Sequence, residues 1–435
     1  MAVWRPSAPH STRPPAAARP RRRAGAPPAP GPRTIGGALS SIPAWQGRLA
    51  MLAALTLPGV LARVGGVHLP PILAMLAFGG AVAAAAFMLA AAAEVAEIDV
   101  PAGIAVAGVA FVAVLPEYVI ELYFAYSGHV EYVAASLTGS TRLLLSFAVG
   151  MPAVASLVLA ARRLPPVGTV ALSPRRRLDL AVIATASLYA PVIVIRGHLA
   201  WPDSLVLIGL YGLYLRRTGT GPPEPPHLVG IAAKLGALPT GERRRWVAGL
   251  MLYAAATVLV TAEPFANATL LTGQSVGVSP YMLVQWLVPL ATEMPELVIA
   301  LVLILHARAG QAVAVLLSSA VSQWTLALGS LPLAYVAGAG QGPLPLLGRE
   351  RIELLLTTGQ GLLAVAVLVT LRQETRDAVL MLALFAVQAA IPSVAIRAAL
   401  TVGYIVLAID IAASRRSAIP ALGRALRASP ESAPP

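Results

Sequence analysis

Two short stretches, 179 positions apart, carry the residues in this chain best suited to chemistry. Leu115 to Gly128 reads LPEYVIELYFAYSG, and Met294 to Ala307 reads MPELVIALVLILHA. The same offset brings Pro101 onto Pro280, Pro116 onto Pro295, Glu117 onto Glu296, Ser140 onto Ser319 and Gly150 onto Gly329. Each copy sets a Pro-Glu pair inside an apolar segment long enough to cross a bilayer. Proline takes a donor out of the helix ladder and leaves a carbonyl free. In lipid that carbonyl must find another partner, and a cation is one candidate. The glutamate that follows adds a charged oxygen. Ca²⁺ and Na⁺ are hard cations that take oxygen ligands, so Glu117 and Glu296 form a candidate metal-binding pair. A carboxylate within a membrane is costly and points by default to a transport site. The competing reading is a pair of protonated or hydrogen-bonded structural glutamates.

Further oxygens accompany the pair. Thr292 and Glu293 precede Pro295-Glu296. Ser319 and Gln323 follow on the next apolar segment, four positions apart and therefore on one helical face. Ser136 and Ser140 share a face by the same spacing. Thr292, Glu293, Ser140, Ser319 and Gln323 are candidate cation ligands, although a hydroxyl in a membrane helix often bonds back to its own backbone instead. Glu121 follows Glu117 by four and is either a relay or a charge partner. Glu263, in Ala262-Glu263-Pro264, is a candidate for lining an access path.

These residues need spanning helices to position them, and the composition supplies such helices. The 435 residues are 57% hydrophobic and 12% charged, with mean hydropathy +0.76, as expected of a polytopic membrane protein. The net charge of +13 comes almost wholly from Arg. The Arg residues lie in tails and loops without interleaved aromatics, which argues for membrane topology and against nucleic acid. Without Cys, disulfides, thiolate sites and cysteine nucleophiles are excluded. No Walker A loop, G-x-S-x-G elbow or H-E-x-x-H spacing is present, so neither ATP-driven transport nor an enzyme is supported.

Residues 1–42 read as a disordered Arg/Pro-rich tail. Beyond it lie about twelve apolar segments of roughly 17–30 residues, suited to tilted spanning helices. The layout is an extra anchor at 45–63, five helices in 70–215, a linker loop at 216–245, five helices in 246–393, an extra helix at 395–413 and a tail at 414–435. Threading from a cytoplasmic N-terminus puts the Arg-rich loops around Arg162, Arg175, Arg243 and Arg308 inside, together with the C-terminal tail. The outer loops keep scattered cations, among them Arg349 and Arg397. The two halves then enter from opposite sides, as inverted repeats with a midplane ion site require. The predicted class is an all-α polytopic membrane protein of the inner or plasma membrane, with two inverted-topology five-helix repeats plus flanking helices and both termini cytoplasmic.

With these residues in place, the chain resembles the sodium/calcium exchanger superfamily of cation antiporters with two alpha repeats. The family pattern is G-T-S-x-P-E on one helix and G-S-N-x-x-N/D on the next. Here the first copy has V-A-V-L-P-E, Val112 to Glu117, with G-S-T-R-L-L, Gly139 to Leu144. The second has A-T-E-M-P-E, Ala291 to Glu296, with S-S-A-V-S-Q, Ser318 to Gln323. The resemblance covers about residues 70–413. It implies ten core helices, alternating access, Glu117 and Glu296 as paired ligands, and Ser140, Ser319 and Thr292 as further ligands.

The chain also departs from that pattern. Ala113 and Val114 replace Thr-Ser, Leu144 and Gln323 replace Asn or Asp, and Glu293 replaces Ser. Arg142 sits one position past the place of the family's G-S-N, and a buried Arg needs a partner. Glu117 or Glu121 is the expected one. Fewer oxygens and a fixed cation imply a changed ion choice, with a proton in place of sodium as one coupling ion. The expected activity is exchange of Ca²⁺ or Na⁺ for Na⁺ or H⁺, with no cofactor beyond the transported cations and with lipid and inorganic cations as partners. The alternative is a transport-inactive scaffold or regulator of the same fold.

Overall fold

In the computed structural model, residues 44–99, 111, 114–161, 168–219, 228–340 and 342–427 are described. The expected tail 1–42 lies outside them, as do Pro101, Val112 and Ala113. Helix α1 covers Ala44–Val64 and α2 covers Pro71–Ala96. Helix α3 is described over Leu115–Tyr126, and α4 runs from Val130 to Ala161. Next come α5, Arg176–Arg196, and α6, Trp201–Thr218. The short α7, Gly230–Gly236, precedes the long α8, Thr240–Val276, and α9, Pro280–Leu305. Helix α10, Ala309–Ser322, passes through a π-helical turn, Gln323–Ala327, into α11, Leu328–Gly338. Helices α12, Gly348–Leu368, α13, Thr375–Ala390, α14, Val394–Ser414, and α15, Pro420–Arg427, complete the chain.

Local chemistry explains several boundaries. Pro71 and Pro280 open α2 and α9 at the first turn, where no backbone donor is needed. The Asp203 carboxylate accepts from the Ala200 N–H at 2.8 Å and caps α6. Gly277 closes α8 with φ of 69°, a left-handed conformation that glycine adopts without a Cβ penalty.

Nine described helices are long and apolar enough to cross a membrane. The other three apolar runs read from the sequence fall on α3, α6 and α13. The described part of α3 has 12 residues, α13 has 16, and α6 carries Asp203, Arg216 and Arg217. The linker 216–245 is less loop-like than expected. Helix α6 runs on to Thr218, α7 forms within the linker, and α8 starts at Thr240 with Glu242 in its first turn. The C-terminal stretch also turns helical as α15, whose Leu422 is buried.

The 179-residue offset recurs in the elements: α4 begins at Val130 and α10 at Ala309. Two tiny strand pairs join the halves of the chain. Strand β1, Val170–Ala171, pairs antiparallel with β4, Arg372–Gln373. Strand β2, His198–Leu199, pairs with β3, Leu344–Pro345. Helix α1 is fixed to α8 along its length. Trp45 meets Trp246 edge-on at 5.5 Å, the Thr56 and Tyr253 hydroxyls share a 2.5 Å hydrogen bond, and Arg63 pairs with Glu263 at 2.9 Å.

Candidate functional site

Helices α3, α4, α9 and the π-helical turn supply the site. Pro116 and Glu117 stand in the first turn of α3, where free N–H groups favour a carboxylate. Pro289 and Pro295 sit inside α9, around Thr292, Glu293 and Glu296. The side chains of Glu117, Glu121, Glu293 and Glu296 are all buried, with Glu121 and Glu293 fully so. Glu117 lies within electrostatic range of the other three. Four carboxylates therefore share one interior region.

Gln323 is the link between them. Its amide donates to Glu293 Oε1 at 3.4 Å and to Glu121 Oε1 at 3.5 Å, both long contacts. Thr292 donates back to Val288 O at 3.2 Å, which leaves its oxygen lone pairs free to accept or to ligate. Ser140 Oγ and Ser136 Oγ are buried and have no hydrogen-bond partner. The same is true of Glu121 Oε2, Glu293 Oε2, Glu296 Oε2 and Gln323 Oε1. Buried polar atoms are normally satisfied, so the orphaned oxygens on the carboxylates and on Gln323, which bridges two of them, fit a hard-cation or proton site. No group of three or more His, Asp or Glu side chains among the described residues has the geometry to hold a metal by itself. A cation here would draw on neutral oxygens as well as carboxylates.

Other candidates stand elsewhere. Ser319 is half-buried on α10, and its carbonyl accepts from Ser322 at 2.8 Å. Glu263, expected along an access path, is half-exposed and paired with Arg63. The expected pairing of Arg142 with Glu117 or Glu121 is not found. Arg142 is fully buried, and its guanidinium meets Glu353 Oε2 on α12 at 2.8 Å. Helical geometry gives the reason. Arg142 follows Ser140 by two positions, which turns it to the opposite side of α4. Arg397, read as an outer-loop cation, is buried on α14 and also pairs with Glu353.

Three acidic residues at the end of α2 differ from one another. Asp99 meets Arg243 at 2.6 Å and Arg244 at 3.6 Å, and its hydrogen bond to Arg243 holds its carboxyl below the usual carboxylate range. Glu97 is exposed. Glu94 is half-buried and lies within electrostatic range of Glu296. Glu94 was not singled out from the sequence, although its place before the end of an apolar helix was visible.

The sodium/calcium exchanger protein family matches residues 69–218 and 246–394. The structure is similar to the crystal structure of the H⁺/Ca²⁺ exchanger CAX, with a TM-score of 0.82 and 34% identity, covering 88% of this chain and 98% of that one. It also shares its fold with native YfkE, at a TM-score of 0.56 and 17% identity, covering 82% and 100%. The exchanger NCX_Mj, soaked with 2.5 mM Na⁺ and 0.1 mM Sr²⁺, aligns at a TM-score of 0.51 and 18% identity, covering 74% and 99%. No curated protein matches the chain. The family match and the apolar helices make this a multi-pass membrane transport protein. The chain belongs to the sodium/calcium exchanger family, whose members are cation antiporters.

Proposed function

We propose that this protein is a proton-coupled calcium antiporter that works by alternating access around Glu117 and Glu296. The observation that carries the reading is the burial of four carboxylates in one region, three of them with an orphaned oxygen. Four negative charges cannot be held together in a low-dielectric interior, so cations or protons must neutralise them. Binding of a divalent cation then displaces protons, and proton return displaces the cation. The 34% identity to an H⁺/Ca²⁺ exchanger supports this pair of ions.

Thr292, Ser140 and Gln323 complete the ligand set in this reading, and Ser319 joins when α10 shifts. Glu121 and Glu293 carry protons. Two inverted five-helix repeats, 70–215 and 246–393, flank the linker 216–245. The two blocks of the family match support that division. The strand pairs support the threading: β1 and β4 both fall in loops assigned to the inside, and β2 and β3 in loops assigned to the outside. Both termini are then cytoplasmic, in the inner or plasma membrane. The inactive-scaffold alternative drew on the reduced ligand set and on Arg142, and the pairing of Arg142 with Glu353 speaks against the second of these grounds.

The test is Ca²⁺ uptake into proteoliposomes driven by a pH gradient, compared with a sodium gradient. Glu117→Gln and Glu296→Gln should each lower uptake at least a hundredfold. Wild-type uptake in the Glu296→Gln protein would sink the mechanism.

A further inference from the structure

A second polar cluster lies on the side of α4 opposite Ser140 and reaches α9 at Gln285. Thr138, Arg142 and Ser146 form a stripe on α4, spaced by four. Arg142 Nε donates to Thr138 O at 2.9 Å and its guanidinium pairs with Glu353 at 2.8 Å. Arg397 of α14 pairs with the other oxygen of Glu353 and donates to Gln285 Oε1 at 2.8 Å. Gln285 of α9 donates to Glu353 Oε2 at 3.2 Å. Gln360 donates to the Arg142 carbonyl at 2.8 Å and to Ser146 Oγ at 2.6 Å, and Gln388 of α13 donates to Gln360 at 3.0 Å. Both guanidinia and the Glu353 carboxylate are fully or almost fully buried.

The charges do not cancel. Two arginines face one glutamate, which leaves one positive charge inside the bundle. Arg349 stands 4.0 Å from Glu353 and over the Tyr281 ring at 3.4 Å, but its side chain is 34% exposed and water screens its charge. Gln285 precedes Glu293 on α9 by eight positions, about 12 Å along the axis. At an effective dielectric of about 20, a unit charge on the order of 12 Å away alters the binding of a divalent cation by up to roughly a hundredfold, and a longer path between the charges brings this toward tenfold.

We propose that the Arg142–Glu353–Arg397 network sets the cation affinity of the acidic site through its net charge. The inference rests on the acidic region being the cation site. The network weakens cation holding by a fixed amount and so favours release. Arg142, Glu353 and Arg397 are positioning and affinity-setting residues and do not touch the ion.

The network yields a ladder of variants. Glu353→Gln raises its charge to two, Arg142→Gln or Arg397→Gln lowers it to zero, and Arg142→Gln with Glu353→Gln restores one. The experiment measures the apparent Ca²⁺ KM and turnover in proteoliposomes at alkaline pH, where protons compete least. KM should rise about tenfold or more in Glu353→Gln, fall about tenfold or more in each Arg→Gln protein, and return to within threefold of wild type in the double variant. Turnover per folded protein should change less than KM. A role in packing alone would change stability and amount without ordering KM by charge, and that result overturns the proposal. Should Glu353→Gln fail to accumulate, the two Arg→Gln proteins carry the test, because each keeps an Arg–Glu pair. Tighter Ca²⁺ binding in both supports the proposal, and unchanged or weaker binding overturns it. An inactive wild type overturns both functional proposals, whereas an active wild type whose KM ignores network charge overturns only this one.

Discussion

Gln323 shows how one side chain can tune a site that it does not charge. Among the described residues its amide donates to both Glu121 and Glu293, and it reaches each at 3.4–3.5 Å. Removing a donor from a buried acceptor costs about 1–3 kcal/mol. Gln323→Leu should therefore lower Ca²⁺/H⁺ exchange by roughly tenfold to a hundredfold while leaving the fold intact, as read by uptake and by elution as a single species. The glutamates themselves were legible because they recur: Glu117 and Glu296 occupy matching places after matching prolines. The partner of Arg142 was not. Glu353 lies on a helix more than 200 positions later, and no spacing rule states which polar stripe meets which. The stripes are present in the sequence, as Thr138, Arg142 and Ser146 on one helix and Glu353, Thr357 and Gln360 on another. Only packing decides that they meet.

At the scale of elements, the apolar runs were readable because bilayer thickness dictates helix length. The π-helical turn and the two-residue strands carry no periodic signal, so no pattern announces them. The turn begins at Gln323, the residue that bridges the carboxylates, and such turns often mark functional positions. The close contact between α4 and α9 is a second element-level feature. Gly139 presents its missing side chain to the Gln285 carbonyl and the Pro289 ring, and a Cβ there would collide with backbone. Gly139→Ala must push α4 off α9, at a cost of about 1–3 kcal/mol. A thermal-shift measurement in detergent should show a clear fall in Tm. An unchanged Tm would mean that the two helices can separate freely. Because α9 carries Glu293 and Glu296 and α4 carries Ser140, the same substitution should also weaken Ca²⁺ binding.

Over the whole molecule, two polar regions share one apolar bundle. One holds excess negative charge from Glu117, Glu121, Glu293 and Glu296, and the other holds excess positive charge from Arg142 and Arg397 against Glu353. Helices α4 and α9 border both. The strand pairs have a consequence for how the protein is put together. In β1–β4 and β2–β3 each half of the chain contributes one strand, so the halves interlock through noncovalent bonds. Continuity of the polypeptide between Thr218 and Leu228 is then dispensable for assembly. Two separately encoded polypeptides, one ending near Thr218 and one starting near Leu228, should find each other in the membrane, co-purify through a tag on either piece and restore uptake. Failure to co-purify would show that the covalent link, and not the interlock, holds the halves together. On this view the protein is a heterodimer that happens to be made as a single chain.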